Sequence, residues 1–228
     1  MKKLVRKILV TVLVVVLGIA AIVWARLLFF QQDQGPLTPR ALRSRGNPGA
    51  PVQIIEYFDF RCGPCANGAR WIKDVLQKYP GKIYLEVRHF PLHLSNGALE
   101  ARFTECARAQ GKFWEIHDRL MASQKKWIKE VNPEASFLQM ARESGLDETK
   151  LTACWADPDL YDSIIAMKDE GARLGVNATP SYFVNGKMVV GVKNLESALL
   201  EALGESLPDD AKGSVEDAKK SKEGAHEK

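Results

Sequence analysis

No histidine follows the one CxxC pair of this sequence, no second close cysteine pair accompanies it, and no basic stretch is interleaved with aromatics. Each absence removes a class of function. Covalent haem attachment needs a His directly after the second Cys, and here Ala66 follows Cys65. A structural zinc site usually draws four ligands from two close pairs, whereas Cys106 and Cys154 are single and distant. The missing basic patch, with a net charge of only +4, argues against nucleic-acid binding. Cysteine itself is scarce, at four in 228 residues, in a composition that is otherwise globular, 46% hydrophobic and 26% charged. No internal repeat is present, and the length predicts one ordinary domain with appendages.

The N-terminus departs from that composition. After the basic MKKLVRK, the run ILVTVLVVVLGIAAIVWA extends from Ile8 to Ala25 without a charge. At ~1.5 Å per residue it spans roughly 27 Å, close to the hydrocarbon thickness of a bilayer. Arg26 interrupts before LLFF continues the apolar stretch. Residues 1–30 are therefore expected to form a basic cytoplasmic start and one N-terminal transmembrane helix. The positive charge holds the start inside, which puts the rest of the chain beyond the inner membrane. The alternative is a signal peptide ending at Val23-Trp24-Ala25, although the run exceeds the usual hydrophobic region of about 7–15 residues. Either way the domain is exported. An even number of cysteines in an oxidising compartment then predicts two disulfides.

QQDQGPLTPRALRSRGNPGA (31–50) is polar and rich in Pro, Gly and Arg, and reads as a linker. PVQIIEYFDF (51–60) reads as a buried strand. Pro64 suits the first turn of a helix, and Ala69, Ile72, Leu76 and Tyr79 follow at helical spacing. KIYLEVRHF (82–90) alternates as a second strand, which a crossover helix makes parallel to the first. From about 95 to 174 the pattern is helical, with Gly111, Gly145 and Gly175 as stops. ATPSYFVNGKMVVG returns to strand, with Asn185-Gly186 as a hairpin turn. NLESALLEAL (194–203) closes with an amphipathic helix opened by an Asn cap. The expected order is β-α-β, a helical block, then β-β-α. Residues 204–228 are charged, carry few large apolar side chains, and read as a disordered tail.

A disulfide closing so short a loop as Cys62–Cys65 adds little stability, so redox chemistry is the stronger reading of the pair. The two cysteines follow a strand and open a helix, where unpaired N–H groups and the helix dipole favour negative charge. A thiolate at Cys62 would be stabilised there, and the thiolate is the attacking species. Cys65, one turn inward, would resolve the mixed disulfide.

Three separated elements resemble the thioredoxin-fold oxidoreductases, in particular their exported DsbA-like branch. They are Cys62-Gly63-Pro64-Cys65 at the active-site position, Glu56 on the strand before it, and Thr179-Pro180 opening the third strand. FTECARAQGKFWEIHDRLM resembles the first part of that branch's helical insert, and the likeness covers roughly 51–203. It implies an α/β thioredoxin fold with an inserted helical domain at about 92–175, behind the N-terminal transmembrane helix. It implies Cys62, Cys65, Glu56 and Pro180 as catalytic, and Thr179, Gly63 and Pro64 as substrate-binding. Pro180 in cis would turn the Thr179 backbone toward the sulfurs, where it can pair with an extended client chain. Burial would raise the Glu56 pKa and make it a proton acceptor for Cys65; a partly exposed edge glutamate is the alternative. Some relatives bond a second cysteine pair in the insert, which implies Cys106–Cys154, worth roughly 3–4 kcal/mol if formed. Two buried, inert thiols are the alternative. His89, His93 and His117, with Trp71, Trp114, Trp127 and Trp155, read as packing. No cofactor or metal is implied.

The direction of electron flow stays open. Strongly oxidising DsbA-like proteins usually carry His before the second Cys, whereas Gly63-Pro64 is the dipeptide of reducing thioredoxins. Arg61 would help a Cys62 thiolate but is expected to be exposed and screened. The two extremes differ by about 150 mV, roughly 7 kcal/mol, and an intermediate value is expected. Architecture favours a monomeric oxidase of exported client cysteines on the periplasmic side, reoxidised by a quinone-linked membrane oxidase or electron-transfer protein. A reductase or isomerase of thioredoxin-like potential, and a non-catalytic binding or chaperone module, are the alternatives.

Overall fold

The computed structural model of the chain describes residues 41–92, 94 and 98–205, together with Gly18. The expected transmembrane segment 1–30 (save helical Gly18), residues 31–40, His93, and the tail beyond Glu205 lie outside the described residues. The chain divides into two compact units, Met1–Leu42 and Arg43–Lys228. In the first, Ala41 and Leu42 enter a 3-10 turn. Among the described residues no helix is long and apolar enough to cross a membrane.

The second unit is built on a five-stranded mixed sheet in the order β1-β3-β2-β4-β5. Its strands are β1 (Ser44–Gly46), β2 (Val52–Phe58), β3 (Ile83–His89), β4 (Ser181–Val184) and β5 (Lys187–Val190). Helix α1 (Gly63–Lys78) connects β2 to β3, which run parallel, Val52 beside Ile83 and Phe58 beside His89. A block of five helices follows: α2 (Leu99–Arg108), α3 (Phe113–Trp127), α4 (Glu134–Glu143), α5 (Glu148–Trp155) and α6 (Pro158–Arg173). The chain returns through the β4–β5 hairpin, where Asn185 (φ 47) and Gly186 (φ 85) form the turn, and ends in α7 (Val192–Leu203).

Alternation along β2 explains the two faces of the sheet. Val52, Ile54 and Phe58 enter the main core with Cys65, Ile72 and Leu195, while Ile55 and Tyr57 face a smaller cluster with Phe90, Val176 and Phe183. Burying one such large side chain contributes about 1.5–3 kcal/mol. Glu56 has the parity of the main-core residues, so the pleat itself carries this acid inward. On the other face α6 packs close to the sheet at Gly171, where a Cβ would stand 2.8 Å from the Tyr57 ring. The insert is stapled by a Cys106–Cys154 disulfide between α2 and α5, with S–S 2.04 Å. Asp147 and Asp157 cap α5 and α6 through their side chains, offsetting unpaired N–H groups at those starts.

Two local expectations differ from the structure. Residues 44–50 are part of the domain rather than linker: β1 adds antiparallel to the β3 edge. Arg43 Nη1 donates to both Glu105 carboxylate oxygens at 3.1 Å, and Arg45 Nη2 to Asp118 Oδ2 at 2.8 Å. Buried and half-buried partners on the insert thus fix a stretch whose composition reads as loop. Helix α7 starts at Val192 after Gly191, and Asn194 does not cap it; its Nδ2 donates back to the Val190 carbonyl.

Candidate active site

Cys62 is the N-cap residue of α1, in an extended conformation (φ −79, ψ 115), with Pro64 in the first turn. The Cys62 carbonyl accepts from the N–H of Cys65 at 3.1 Å and of Ala66 at 3.3 Å, which closes the first turn. That turn puts Cys65 fully inside, leaves Cys62 half-buried, and leaves Gly63 and Pro64 exposed. Both cysteines are free thiols. The Cys62 thiol donates to the Thr179 carbonyl oxygen at 3.2 Å, across a cis Thr179–Pro180 peptide bond. The carried-over constellation of Cys62, Gly63, Pro64, Cys65, Thr179 and Pro180 therefore lies around one helix start.

The two sulfurs are electrostatically unequal. The Cys62 thiol is pulled down to about 6, first by a hydrogen bond from Cys65, against the cost of partial burial. Thr179 and the Cys65 backbone also lower it, while the Asp59 charge opposes them. The thiol proton is donated to the Thr179 carbonyl, and the Thr179 Oγ1 hydroxyl has no hydrogen-bond partner in this state. Burial pushes the Cys65 thiol up, and the bond to Cys62 and the charge of Glu56 push it further.

Glu56 is 3% exposed, and burial raises its pKa to about 8. Tyr182 lowers it in part. The ladder sets Glu56 directly opposite Tyr182 on β4. The Tyr182 hydroxyl is buried without a partner of hydrogen-bond geometry, so its pull on Glu56 is that of a nearby dipole rather than a formed bond. Space for this ring exists because α1 carries Gly68 above it, where a Cβ would stand 2.6 Å from the Tyr182 oxygen. Beneath the nucleophile the protein thus holds a buried acid whose proton is exchangeable near neutral pH.

Sequence reasoning missed the residues that hold the loop before Cys62. Asp59, 7% exposed, accepts from the Arg61 N–H at 2.8 Å and the Leu92 N–H at 2.9 Å. Its place in the FDFRC run is a signal that could have been used. Arg61 is not a free charge beside the thiolate, as expected above. It pairs with Glu100 on α2 at 2.8 Å, with its guanidinium 5.8 Å from the Trp127 ring centre. Gln124 on α3, 6% exposed, donates through Nε2 to the Phe60 carbonyl at 2.6 Å and the Cys62 carbonyl at 2.9 Å. Nothing in RLMASQKKW marks that residue.

The histidines lie deeper. His89 Nε2 meets Glu105 Oε1 at 3.0 Å, and His117 Nδ1 meets Asp118 Oδ1 at 3.0 Å. Burial lowers the pKa of both rings. Their rings pack among Phe58, Phe60 and Phe113. Trp127 is buried, and Trp71, Trp114 and Trp155 are half-buried against the core. Among the described residues no group of three or more His, Cys, Asp or Glu side chains is arranged to hold a metal ion.

A family model described as thioredoxin matches residues 40–202. A thioredoxin-like oxidoreductase from Silicibacter pomeroyi DSS-3 is similar at 28% identity and TM-score 0.58, covering 72% of this chain and 92% of that one. Wolbachia pipientis alpha-DsbA1 is similar at 25% identity and TM-score 0.61, covering 70% and 88%. A curated protein named Na(+)/H(+) antiporter NhaA 3, from Salinispora tropica, is 33% identical over 164 residues, 71% of this chain and 24% of that protein. The chain spans about a quarter of the length of the curated relatives it matches.

Proposed function

The chain belongs to the thioredoxin family, in the form with a helical insertion, and from that premise we propose that Cys62 and Cys65 exchange disulfides with client proteins as an oxidase. One observation carries the reading: a low-pKa Cys62 at a helix start, aimed at the Thr179 carbonyl, with Cys65 buried beneath it. In the oxidised protein a client thiolate attacks the Cys62 sulfur, and the Cys62–Cys65 bond breaks. Cys65 leaves with the electron pair and takes a proton, for which Glu56 is the adjacent source. A second client thiolate attacks the client sulfur of the mixed disulfide and releases Cys62 as a thiolate. The client has lost two electrons, and the Cys62–Cys65 pair has gained them.

The oxidase direction draws support from Cys62, because a thiolate stabilised near pH 6 favours the reduced pair and strengthens the protein as an acceptor. The uncharged Gly63-Pro64 dipeptide, which brings no cation to the thiolate, supports a second reading, a reductase or isomerase of lower potential. The uncharged run Ile8–Ala25 supports a single-pass anchor in the inner membrane with the catalytic domain on the periplasmic side, where a quinone-linked oxidase would take the electrons away.

The test is oxidation of a reduced, unfolded client by the full chain. Disulfide should form with wild type and not with Cys62→Ser, and Cys65→Ser, offered a client that already carries a disulfide, should attack it through Cys62 and stay trapped as a mixed disulfide. An inactive wild type overturns the reading. A potential near about −120 to −180 mV supports donation of disulfides to clients, and one near about −270 mV reverses the arrow.

A further inference from the structure

The segment Asp59–Cys62 is held largely from outside the sheet. Gln124 reaches it from α3, and Arg61 ties it to Glu100 on α2. Gln124 has the more direct grip on the chemistry. Both its partners are carbonyl oxygens, so the amide nitrogen must face them and its orientation follows from the network. The Cys62 carbonyl it reaches is the same one that accepts from Cys65 and Ala66 and opens α1. Fixing that carbonyl fixes the peptide plane after Cys62, and with it the Cα from which the side chain departs.

We infer that Gln124 is a positioning residue that holds Cys62 in its reactive geometry and thereby makes the helical insert part of the redox machinery. The inference rests on the thiol–disulfide reading above. Its logic lies in the difference between the two redox states. When Cys62 and Cys65 are bonded, the covalent link itself restrains Cys62. When they are reduced, Cys62 ionises, and the Nε2 hydrogens of Gln124 offset the negative end of the Cys62 carbonyl beside the new charge, an interaction that the uncharged disulfide lacks. Gln124 therefore stabilises the reduced form more than the oxidised one and raises the potential. Asn is a methylene too short for the span. Met fills the space without a donor, and a Glu carboxylate would set negative charge against two carbonyl oxygens.

The test uses the full chain and its Gln124→Met variant, equilibrated with glutathione, together with a pH titration of the reduced Cys62 thiolate. The expected result is an equilibrium constant shifted about tenfold toward the oxidised form, or about 30 mV more negative. The Cys62 midpoint should rise by about one unit. Gln124→Glu, which keeps the size of the side chain, should shift both readouts in the same sense and decides the matter if the Met variant does not fold. A purely structural role would lower the melting temperatures of both redox forms equally and leave constant and midpoint unmoved, which overturns the inference. Wild type with no reversible couple would instead bring down the thiol–disulfide reading.

Discussion

Glu56 and Tyr182 stand directly opposite each other on β2 and β4, an acid and a hydroxyl enclosed together beneath Cys65. Burial pushes the Tyr182 hydroxyl far above its usual range, so it stays protonated while Glu56 titrates. The proton that matters in this pair is the carboxyl's.

Glu56 keeps its proton to about pH 8 in the fold, against an ordinary value of 4.5. Because the folded pKa is raised, the unfolded chain binds fewer protons between those values. Stability contributed by this group is complete below 4.5 and lost as pH rises to about 8. Glu56→Gln should therefore stabilise the reduced chain by roughly 3 kcal/mol at pH 7 and by nothing near pH 4. Urea unfolding at the two pH values checks this. Client oxidation should slow about a hundredfold. Equal stability of variant and wild type at pH 7 would mean that the carboxylate is ionised there without cost.

The reduced chain should show one thiolate transition near pH 6, seen as far-ultraviolet thiolate absorbance. Cys62→Ala should remove it. Cys65 should give no transition at or below its ordinary 9.0, because burial holds its proton. Two transitions of similar midpoint would contradict the inequality between the sulfurs.

Glu105 reverses the case of Glu56. Burial alone would raise its pKa, but His89 and then Arg43 and Arg108 outweigh that and bring it to about 2. With the folded value depressed, its contribution is present above 4.5 and lost as pH falls toward 2. Glu105→Gln should cost roughly 3 kcal/mol at pH 7 and little near pH 2. A pH-independent cost, read from denaturant melts, would place the effect in packing rather than charge.

The Cys106–Cys154 bond closes a loop of sequence separation 48. Chain entropy assigns it about 4 kcal/mol. Cys106→Ala and Cys154→Ala should each lower unfolding stability by about that amount, and the double variant by no more, since one bond is lost in every case. Additive losses in guanidinium melts would show that the side chains matter individually.

The sequence made the frame of the domain legible where local chemistry and long-range packing agree. Val52, Ile54, Tyr57 and Phe58 are buried because β2 is covered on both faces, and that reads as an apolar run. Asn185-Gly186 turns the hairpin because both positions need positive φ. Cys62 and Cys65 were legible because a helix start after a strand is a local event. β1 was not: Ser44, Arg45 and Gly46 have no alternation, and what holds them is the β3 edge and acids on the insert. Arg61 was misjudged for a related reason, since its partner Glu100 lies on another helix. Gln124 is the extreme case, a side chain on one element bonding carbonyls on another, where neither end carries a composition signal.

β2 is hydrogen-bonded on both sides, to β3 from Val52 to Phe58 and to β4 from Ile54 to Tyr57. Amides in such a strand exchange with deuterium only when the whole domain opens. Their protection therefore measures the opening free energy of whichever redox form is in the tube. By a thermodynamic cycle, the difference in protection between oxidised and reduced protein equals the difference between the redox free energies of the folded and opened chain. The strand that carries Glu56 is thus a built-in gauge of how far the fold shifts the driving force for electron transfer from that of the opened chain, readable without a redox buffer.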